Sequence, residues 1–235
     1  MSENSGRKWA FLSNGLTSAI ESAGSIDWFP CPTFDSMSIF SKLLDDKSGG
    51  SFCIRPESKA YKLDTKYLGD TLVIQNKFTG ADGRLEVEDA LPIGLPAIVR
   101  KYDSTITFVA EINPVFRYGM INPSIEYLEN GLIFRNTSAQ EGFEVLINGK
   151  YKILERGILR FEPGKGTIFA LYSKDLRYGL FSNKSFVYPT PEEALEKTAS
   201  YWSDQIKIGK EIKSYKEAYK RSVMVVLGLI YQPSG

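Results

Sequence analysis

Three acidic residues near the middle of the chain, Glu86, Glu88 and Asp89, are the first candidates for chemistry. Adjacent carboxylates raise one another's pKa, as a general acid requires. Glu86 and Glu88 are two positions apart, however, so on a strand both side chains point to the same side. Because the opposite side is completely apolar, we interpret Glu86 and Glu88 as a solvated face. Asp89 falls on the apolar side, where we expect it to be buried with a partner such as Arg100.

A second group of residues could bind a sugar rather than cleave it. Trp28 and Phe34 offer flat apolar faces to a pyranose ring, and Asp35 can accept hydrogen bonds from hydroxyl groups. These three residues are the candidate substrate-binding residues. A structural interpretation stays open beside this one: Asp35 would cap a predicted helix from Ser36 to Leu44, while Trp28 and Phe34 would fill the core.

The composition excludes several classes of site. The 235 residues include no histidine, which removes the commonest general base and the commonest metal ligand. Two cysteines, Cys31 and Cys53, are too few for a zinc cluster. We expect them to stay unpaired, which suits a reducing compartment. The segment from Asp45 to Gly50 resembles a calcium loop in composition but lacks the order of its ligands, so we predict no metal and no cofactor.

The charge and the hydropathy pattern indicate which classes of partner the chain does not bind. The net charge is +1, from 29 basic and 28 acidic residues, which gives no electrostatic footprint for nucleic acid or for an anionic membrane. Residues 1–8 lack the apolar centre of a signal peptide, and no apolar run reaches the ~18–20 residues of a membrane span. We therefore predict a cytoplasmic protein that binds neither nucleic acid nor a membrane.

Most of the chain has the pattern of short strands separated by turns. Apolar and polar residues alternate within the segments 72–78, 85–91 and 106–112, which is the period of half-buried strands. Hairpins are predicted at four dipeptides that end in glycine: Asp82-Gly83, Asn130-Gly131, Asn148-Gly149 and Arg156-Gly157. Short strands that recur with such turns favour an antiparallel sandwich.

The pattern becomes helical near residue 190. Thr190 and Pro191, followed by two glutamates, form a helix start. Gly209 ends this helix, and a second helix begins near Ser214. Its last part, from Val223 to Tyr231, is apolar on every side, so we expect it to be buried all round. The sandwich or a partner subunit could cover it, but we favour a chain cut from a larger protein.

The most informative segment is a block near the front of the chain. It consists of Gly24-Ser25-Ile26-Asp27-Trp28, Phe34-Asp35-Ser36, Leu43-Leu44-Asp45-Asp46 and Gly49-Gly50. This block closely resembles the opening of the archaeal and bacterial glucoamylase and trehalase branch of glycoside hydrolase family 15. Residues 113–119 are similar to a later stretch of that family, although Arg117 stands where many members carry an acid. We therefore expect no substrate contact at Arg117.

The resemblance implies an all-β fold followed by helices. An N-terminal antiparallel β-supersandwich of two large twisted sheets would cover residues 1–187. A linker of two helices at 188–235 would lead into an (α/α)6 catalytic barrel. The family hydrolyses α-glucosides with inversion, and both of its catalytic glutamates would lie beyond this chain, so the chain alone is expected to be inactive.

The resemblance also implies a supporting role for the chain. The sandwich would contact the barrel through the helix from Val223 to Tyr231 and border the pocket that holds the α-glucoside. The parent enzyme is expected to be a glucoamylase, with a trehalase as the alternative. A stand-alone carbohydrate-binding β-sandwich without an enzymatic parent is the interpretation from a different class.

Overall fold

In the parts of the chain that the structure describes, two antiparallel sheets of eight strands each form most of the fold. A computed structural model of the chain describes residues 9–174, 189–207 and 214–235. The strands are β1 (Ala10–Ser13), β2 (Ser18–Ser22), β3 (Ser25–Pro30), β4 (Ser38–Phe40), β5 (Ser51–Pro56), β6 (Tyr61–Tyr67), β7 (Ile74–Gly80), β8 (Gly83–Ala90), β9 (Ala97–Ser104), β10 (Phe108–Asn113), β11 (Ser124–Leu128), β12 (Gly131–Asn136), β13 (Glu141–Asn148), β14 (Tyr151–Glu155), β15 (Ile158–Phe161) and β16 (Gly164–Ser173). The helices are α1 (Pro191–Ile206) and α2 (Lys216–Gly228).

The strand order confirms the predicted supersandwich. The first sheet has the order β1-β2-β3-β5-β10-β15-β14, and β4 pairs with β3 at its side. The second sheet has the order β11-β12-β13-β16-β9-β8-β7-β6. Side chains from both sheets meet in one core, to which Phe29 and Phe52 contribute from the first sheet and Phe78 and Phe143 from the second. The alternation seen in the sequence therefore reflects one face of each sheet turned towards this core.

Three of the four predicted hairpins are confirmed and the fourth is wrong. Asp82-Gly83 joins β7 to β8, Asn130-Gly131 joins β11 to β12, and Arg156-Gly157 joins β14 to β15. At Asn148-Gly149 the chain instead leaves the second sheet, which contains β13, for the first sheet, which contains β14. A Cβ on Gly149 would lie 1.8 Å from the hydroxyl oxygen of Tyr102, so the glycine permits a close approach rather than a hairpin turn.

The predicted helix from Ser36 to Leu44 is wrong, because this segment forms the short strand β4 and a series of turns. Phe40 of β4 pairs with Phe29 of β3 and is completely buried in the core. The Ser38 side chain accepts a hydrogen bond from the backbone N–H of Phe29 at 3.1 Å. Pairing with a neighbouring strand thus outweighs the local helical pattern.

Helix α1 begins as predicted and packs on the outer face of the second sheet. Thr190 Oγ1 accepts a hydrogen bond from the N–H of Glu193 at 3.2 Å, and the Glu193 carboxylate accepts one from the N–H of Thr190 at 2.9 Å. Leu195 then joins a second apolar cluster that includes Val99 and Phe169. The predicted break at Gly209 lies outside the described residues.

Helix α2 packs on the sandwich and on α1 through one side only, so these elements do not themselves provide the predicted burial all round. Met224 packs with Leu72 and with Trp202 of α1 in a third apolar cluster. On the other side, Val226 is 62% exposed and Leu229 is 58% exposed. No helix in the described parts of the chain is long and apolar enough to cross a membrane.

Candidate functional site

The loop of residues 31–37, between β3 and β4, carries two of the three predicted substrate-binding residues. The N–H of Phe34 donates a hydrogen bond to the carbonyl of Leu16 at 3.0 Å, which ties the loop to the turn between β1 and β2. The Thr33 hydroxyl donates to Asp35 Oδ1 at 2.6 Å. This hydrogen bond is the main cause that lowers the pKa of the exposed Asp35 carboxyl. Asp35 is therefore an ionised acceptor at the surface and does not cap a helix.

Phe34 lies against the end of α2 rather than in the core. Its ring meets the ring of Tyr231 edge to face, with 6.4 Å between the centroids. The N–H of Gln232 donates to the carbonyl of Gly15 at 2.9 Å, so the same turn holds the loop and the residues after α2. A Cβ on Gly15, which has a φ of +74°, would lie 2.4 Å from Cγ of Gln232. Only glycine fits this close contact without strain.

Trp28 lies on β3 and is half-buried. Its ring is stacked on Tyr118, with 6.2 Å between the centroids and 23° between the planes. Tyr118 is 45% exposed and belongs to a tight turn in which Arg117 and Tyr118 both have positive φ angles, near 54° and 55°. The structure thus places Trp28 on Tyr118, Phe34 on Tyr231 and Asp35 at the surface, and these are three separate contacts.

Asp35 borders a small cleft with a volume of 290 Å³. Arg117, Glu141 and Lys174 contribute the other charged side chains of its lining, which include neither Trp28 nor Phe34. The hydroxyl of Tyr172 donates to Glu141 Oε2 at 2.5 Å, and burial followed by this hydrogen bond raises the pKa of Tyr172. The described lining holds two acidic and two basic side chains, so this part of the cleft suits a neutral ligand rich in hydroxyl groups better than an ion.

Most of this cleft could not be predicted from the sequence. The sequence predicts no substrate contact at Arg117 and indicates no site at Glu141, Tyr172 or Lys174. These residues lie far from Asp35 along the chain and meet it only because the sandwich closes. No local sequence pattern marks these residues as members of a site, because each one on its own is typical of a strand or a loop.

Another groove, with a volume of 810 Å³, lies near the start of α1 and is lined by residues around Asn148 and Lys165. Tyr102 is the aromatic residue in its lining, and it is only 2% exposed. The groove therefore has no exposed aromatic ring on which a pyranose could stack.

The glutamates of β8 lie near basic side chains. Glu86 forms ion pairs with Lys77 and Arg84, and the hydrogen bond from Lys77 is the main cause that lowers its pKa. The Glu88 carboxylate lies 3.9 Å from the Lys101 ammonium group. The prediction that both glutamates lie on a solvated face is confirmed by their partial exposure.

Asp89 is completely buried and forms an ion pair with Arg100, as predicted. Cys31 and Cys53 are free thiols, which also agrees with the prediction. Burial raises the pKa of both thiols, so neither is activated as a nucleophile.

Asp45 uses its carboxylate within its own turn. It accepts hydrogen bonds from the N–H groups of Lys47 and Ser48, at 2.9 Å and 3.3 Å, and from the Ser48 hydroxyl. Among residues 9–174, 189–207 and 214–235, no group of three or more His, Cys, Asp or Glu side chains could hold a metal ion.

Basic side chains fix α2 to the loop between β6 and β7. The Arg221 guanidinium donates to the carbonyl of Thr71 at 2.7 Å and lies 3.6 Å from the centroid of the Tyr67 ring. Lys220 forms an ion pair with Asp70. Because these contacts hold the helix, its exposed apolar side has a defined direction relative to the sandwich.

Comparisons with known proteins identify the family. Residues 6–149 match the family model described as Trehalase-like, N-terminal. The chain is 45% identical over 227 residues to Trehalase 2 of Sulfolobus acidocaldarius, covering 97% of this chain and 39% of that protein. It is 36% identical over 225 residues to Trehalase 1 of the same organism, covering 96% of this chain and 38% of that protein. The chain thus spans about two fifths of the length of these relatives.

A solved structure shows the same fold at low sequence identity. A bacterial glucoamylase complexed with acarbose aligns with a TM-score of 0.64 at 10% identity, covering 97% of this chain and 42% of that one. The fold agrees with the predicted supersandwich, and the family match agrees with the predicted resemblance. The chain belongs to the family of trehalase-like N-terminal domains.

Proposed function

We propose that this chain is the non-catalytic N-terminal domain of a longer inverting α-glucoside hydrolase. The related trehalases are more than twice as long as the matched region, which covers 39% and 38% of them. Under this proposal, the remainder carries an (α/α)6 barrel with both catalytic glutamates. The part described above supports the barrel and does not hydrolyse a glycoside by itself.

The contact between Phe34 and Tyr231 is the observation that carries the proposal. It brings the loop of residues 31–37 to the end of α2, where Leu229 and Ile230 are exposed by 58% and 41%. An exposed apolar surface next to a polar loop is typical of a surface that another domain covers. We propose that the helix from Val223 to Tyr231 packs on the barrel and that the loop borders its sugar pocket.

The three predicted substrate-binding residues have unequal roles in this proposal. Asp35 is exposed, and its lowered pKa keeps it ionised, so it can accept hydrogen bonds from sugar hydroxyl groups. Phe34 contributes an apolar edge beside the pocket. Trp28 is the weaker candidate, because Tyr118 stacks on its ring.

We also propose a division of the chain at residue 187. The supersandwich would occupy residues 1–187, and residues 188–235 would form the helical linker that begins the barrel. The packing of α1 on the second sheet and of α2 on α1 supports a linker that rests on the sandwich.

Trehalose is the substrate that we propose for the longer protein. The two relatives that are 45% and 36% identical are named trehalases, whereas the similarity to the glucoamylase is one of fold alone. Glucoamylase activity on α-glucans is the alternative.

Glucose release tests this proposal. The chain alone and the longer protein, which contains the proposed barrel, are incubated with trehalose and with maltotriose between about pH 4 and pH 7. We expect the longer protein to release glucose from trehalose and the chain alone to release none from either sugar. Release from maltotriose only would favour a glucoamylase.

Two other outcomes would contradict the proposal. Hydrolysis by the chain alone would mean that its own carboxylates are catalytic. An inactive longer protein, together with tight binding of either sugar by the chain in calorimetry, would favour a stand-alone carbohydrate-binding sandwich.

A further inference from the structure

A buried polar cluster joins the two sheets in the middle of the apolar core. Glu21 of β2, Asn76 of β7, Asp89 of β8 and Arg100 of β9 are each at most 1% exposed. Each has the strand parity of core residues, so all four side chains point into the space between the sheets. The cluster is separate from the loop of residues 31–37 and takes no part in the proposed function.

Arg100 connects the second sheet to the first. Its Nε and Nη2 atoms donate to the two carboxylate oxygens of Asp89, at 2.7 Å and 2.9 Å. Its Nη1 donates to the carbonyl of Phe52 at 2.7 Å, and Nη2 also donates to the carbonyl of Gly24 at 2.8 Å. The guanidinium group is therefore neutralised by Asp89 and has its hydrogen bonds directed at groups other than Glu21.

Glu21 has fewer hydrogen bonds than a buried carboxylate requires. Its Oε1 accepts a hydrogen bond from Asn76 Nδ2, which also lies 3.3 Å from Asp89 Oδ2. The side-chain carbonyl oxygen of Asn76 already accepts a hydrogen bond from the Thr65 hydroxyl at 2.8 Å. Oε2 of Glu21 is buried and accepts no hydrogen bond from any residue that the structure describes. A charged oxygen in this position would be strongly destabilising.

The charges of the cluster indicate how Glu21 is accommodated. Arg100 supplies one positive charge, whereas Glu21 and Asp89 could supply two negative charges. The Asn76 side-chain amide bridges the two carboxyl groups, because its Nδ2 donates both to Glu21 Oε1 and to Asp89 Oδ2. Two carboxylates repel each other, but a carboxyl group that keeps its proton can donate a hydrogen bond to a neighbouring carboxylate. Protonation of Glu21 thus removes the excess charge and supplies a donor.

Among the residues that the structure describes, the other titratable groups that interact with the cluster do not supply a second cation. Tyr67 of β6 and Cys53 of β5 interact with Glu21 and Arg100 respectively, and burial raises the pKa of both. Both groups are therefore neutral near pH 7. Burial, followed by the charge of Asp89, raises the pKa of Glu21 to about 8, although Arg100 opposes this shift.

We propose that Glu21 keeps a proton in the folded domain at neutral pH, and that this proton makes the junction between the two sheets sensitive to pH. The folded state then binds one proton more than the unfolded state over the range in which only the unfolded Glu21 is ionised. The contribution of Glu21 to stability is complete below about pH 4.5 and is lost as the pH rises towards about 8. Alkaline conditions should therefore loosen the contact between the sheets.

A direct test is the titration of Glu21 by NMR in the chain labelled with ¹³C at glutamate side-chain carboxyl carbons. The Glu21 signal is assigned by its absence in Glu21→Gln or, if that variant does not fold, by through-bond experiments in the original chain. We expect the chemical shift of a protonated carboxyl group at about pH 6, with a transition towards about pH 8. A carboxylate shift at about pH 6 would overturn the proposal.

A second test measures the urea midpoint of unfolding between about pH 5 and pH 8. We expect the midpoint of the original chain to fall with pH relative to that of Glu21→Gln, which cannot ionise. The matched control, Glu88→Gln, removes an exposed glutamate from β8 and should keep the slope of the original chain. Equal slopes in the original chain and in Glu21→Gln would contradict the proposal.

Discussion

Arg100 donates hydrogen bonds to one carboxylate and to two backbone carbonyls, and no part of it reaches solvent. Replacement by methionine would leave Asp89 charged and buried without its cation. Loss of one partner of a buried pair costs about 3–5 kcal/mol. We therefore expect Arg100→Met to lower the free energy of unfolding by about that amount in urea titrations.

Arg160→Met is the matched control for Arg100→Met. Arg160 forms an ion pair with Glu57 at 2.7 Å, but both side chains are about one third exposed. Pairs of this kind contribute about 0–1 kcal/mol. Similar losses in the two variants would show that the Arg100 pair does not hold the sheets together.

Asp35 allows a prediction about activity. If it accepts a hydrogen bond from the sugar, Asp35→Asn removes the charge from that contact and weakens it, because charge-assisted hydrogen bonds are the stronger ones. In the longer protein we expect kcat/KM for trehalose to fall at least about tenfold. Asp46→Asn, an exposed aspartate of the neighbouring turn, should leave kcat/KM unchanged. An unchanged kcat/KM in Asp35→Asn would remove Asp35 from the sugar pocket.

The sequence could predict some residues of the buried cluster but not all. Asp89 points to the same side of its strand as the apolar residues of β8, so its burial with a cation could be expected. Glu21 is 68 positions away in a strand of five residues, where the alternation is too short to show which side faces the core. The cleft beside Asp35 was unpredictable for another reason: its lining comes from segments that are distant along the chain.

At the scale of elements, α2 depends on a few polar contacts. Arg221→Ala would remove the contact with the Tyr67 ring and the hydrogen bond to Thr71. We expect faster hydrogen exchange of the α2 amides, while those of α1 keep their protection. Ser222→Ala, at the adjacent exposed position, is the control and should leave the exchange of α2 unchanged. Unchanged exchange in Arg221→Ala would mean that the other contacts of α2, such as the packing of Met224 and the Lys220–Asp70 ion pair, hold the helix.

Turn chemistry predicted that the chain turns at each of four dipeptides, but not which strand lies on the other side. Asn130-Gly131 and Asn148-Gly149 are the same dipeptide, yet the first closes a hairpin and the second connects the two sheets. At the second dipeptide, Gly149 lies against Tyr102, which is 46 positions away from Asn148, and no local signal in the sequence shows this contact. Likewise, Ser36 to Leu44 has a helical pattern, but strand β3 offers Phe40 a pairing partner and a place in the core.

At the scale of the whole molecule, the exposed side of α2 should behave differently in the chain alone and in the longer protein. We expect Val226→Ser combined with Leu229→Ser to change the free energy of unfolding of the chain alone by less than about 1 kcal/mol, because both side chains are more than half exposed. In the longer protein, the same pair should lower the melting temperature, because there the proposed barrel covers both side chains. Calorimetry of both proteins measures the difference. Equal effects in the two proteins would contradict the proposed interface.

Strand β16 lies between β9 and β13, in the middle of the second sheet, although its residues are the last of the described strands to be synthesised. On a ribosome, β9 would be complete some sixty residues before its partner emerges, as the pairing of Ser104 with Gly164 shows. Until then, β9 and β13 are unpaired edges that could join another nascent chain. The family match ends at residue 149, so it marks where sequences are similar and not where a folding unit ends. During translation, the second sheet therefore cannot be completed before β16 has emerged from the ribosome.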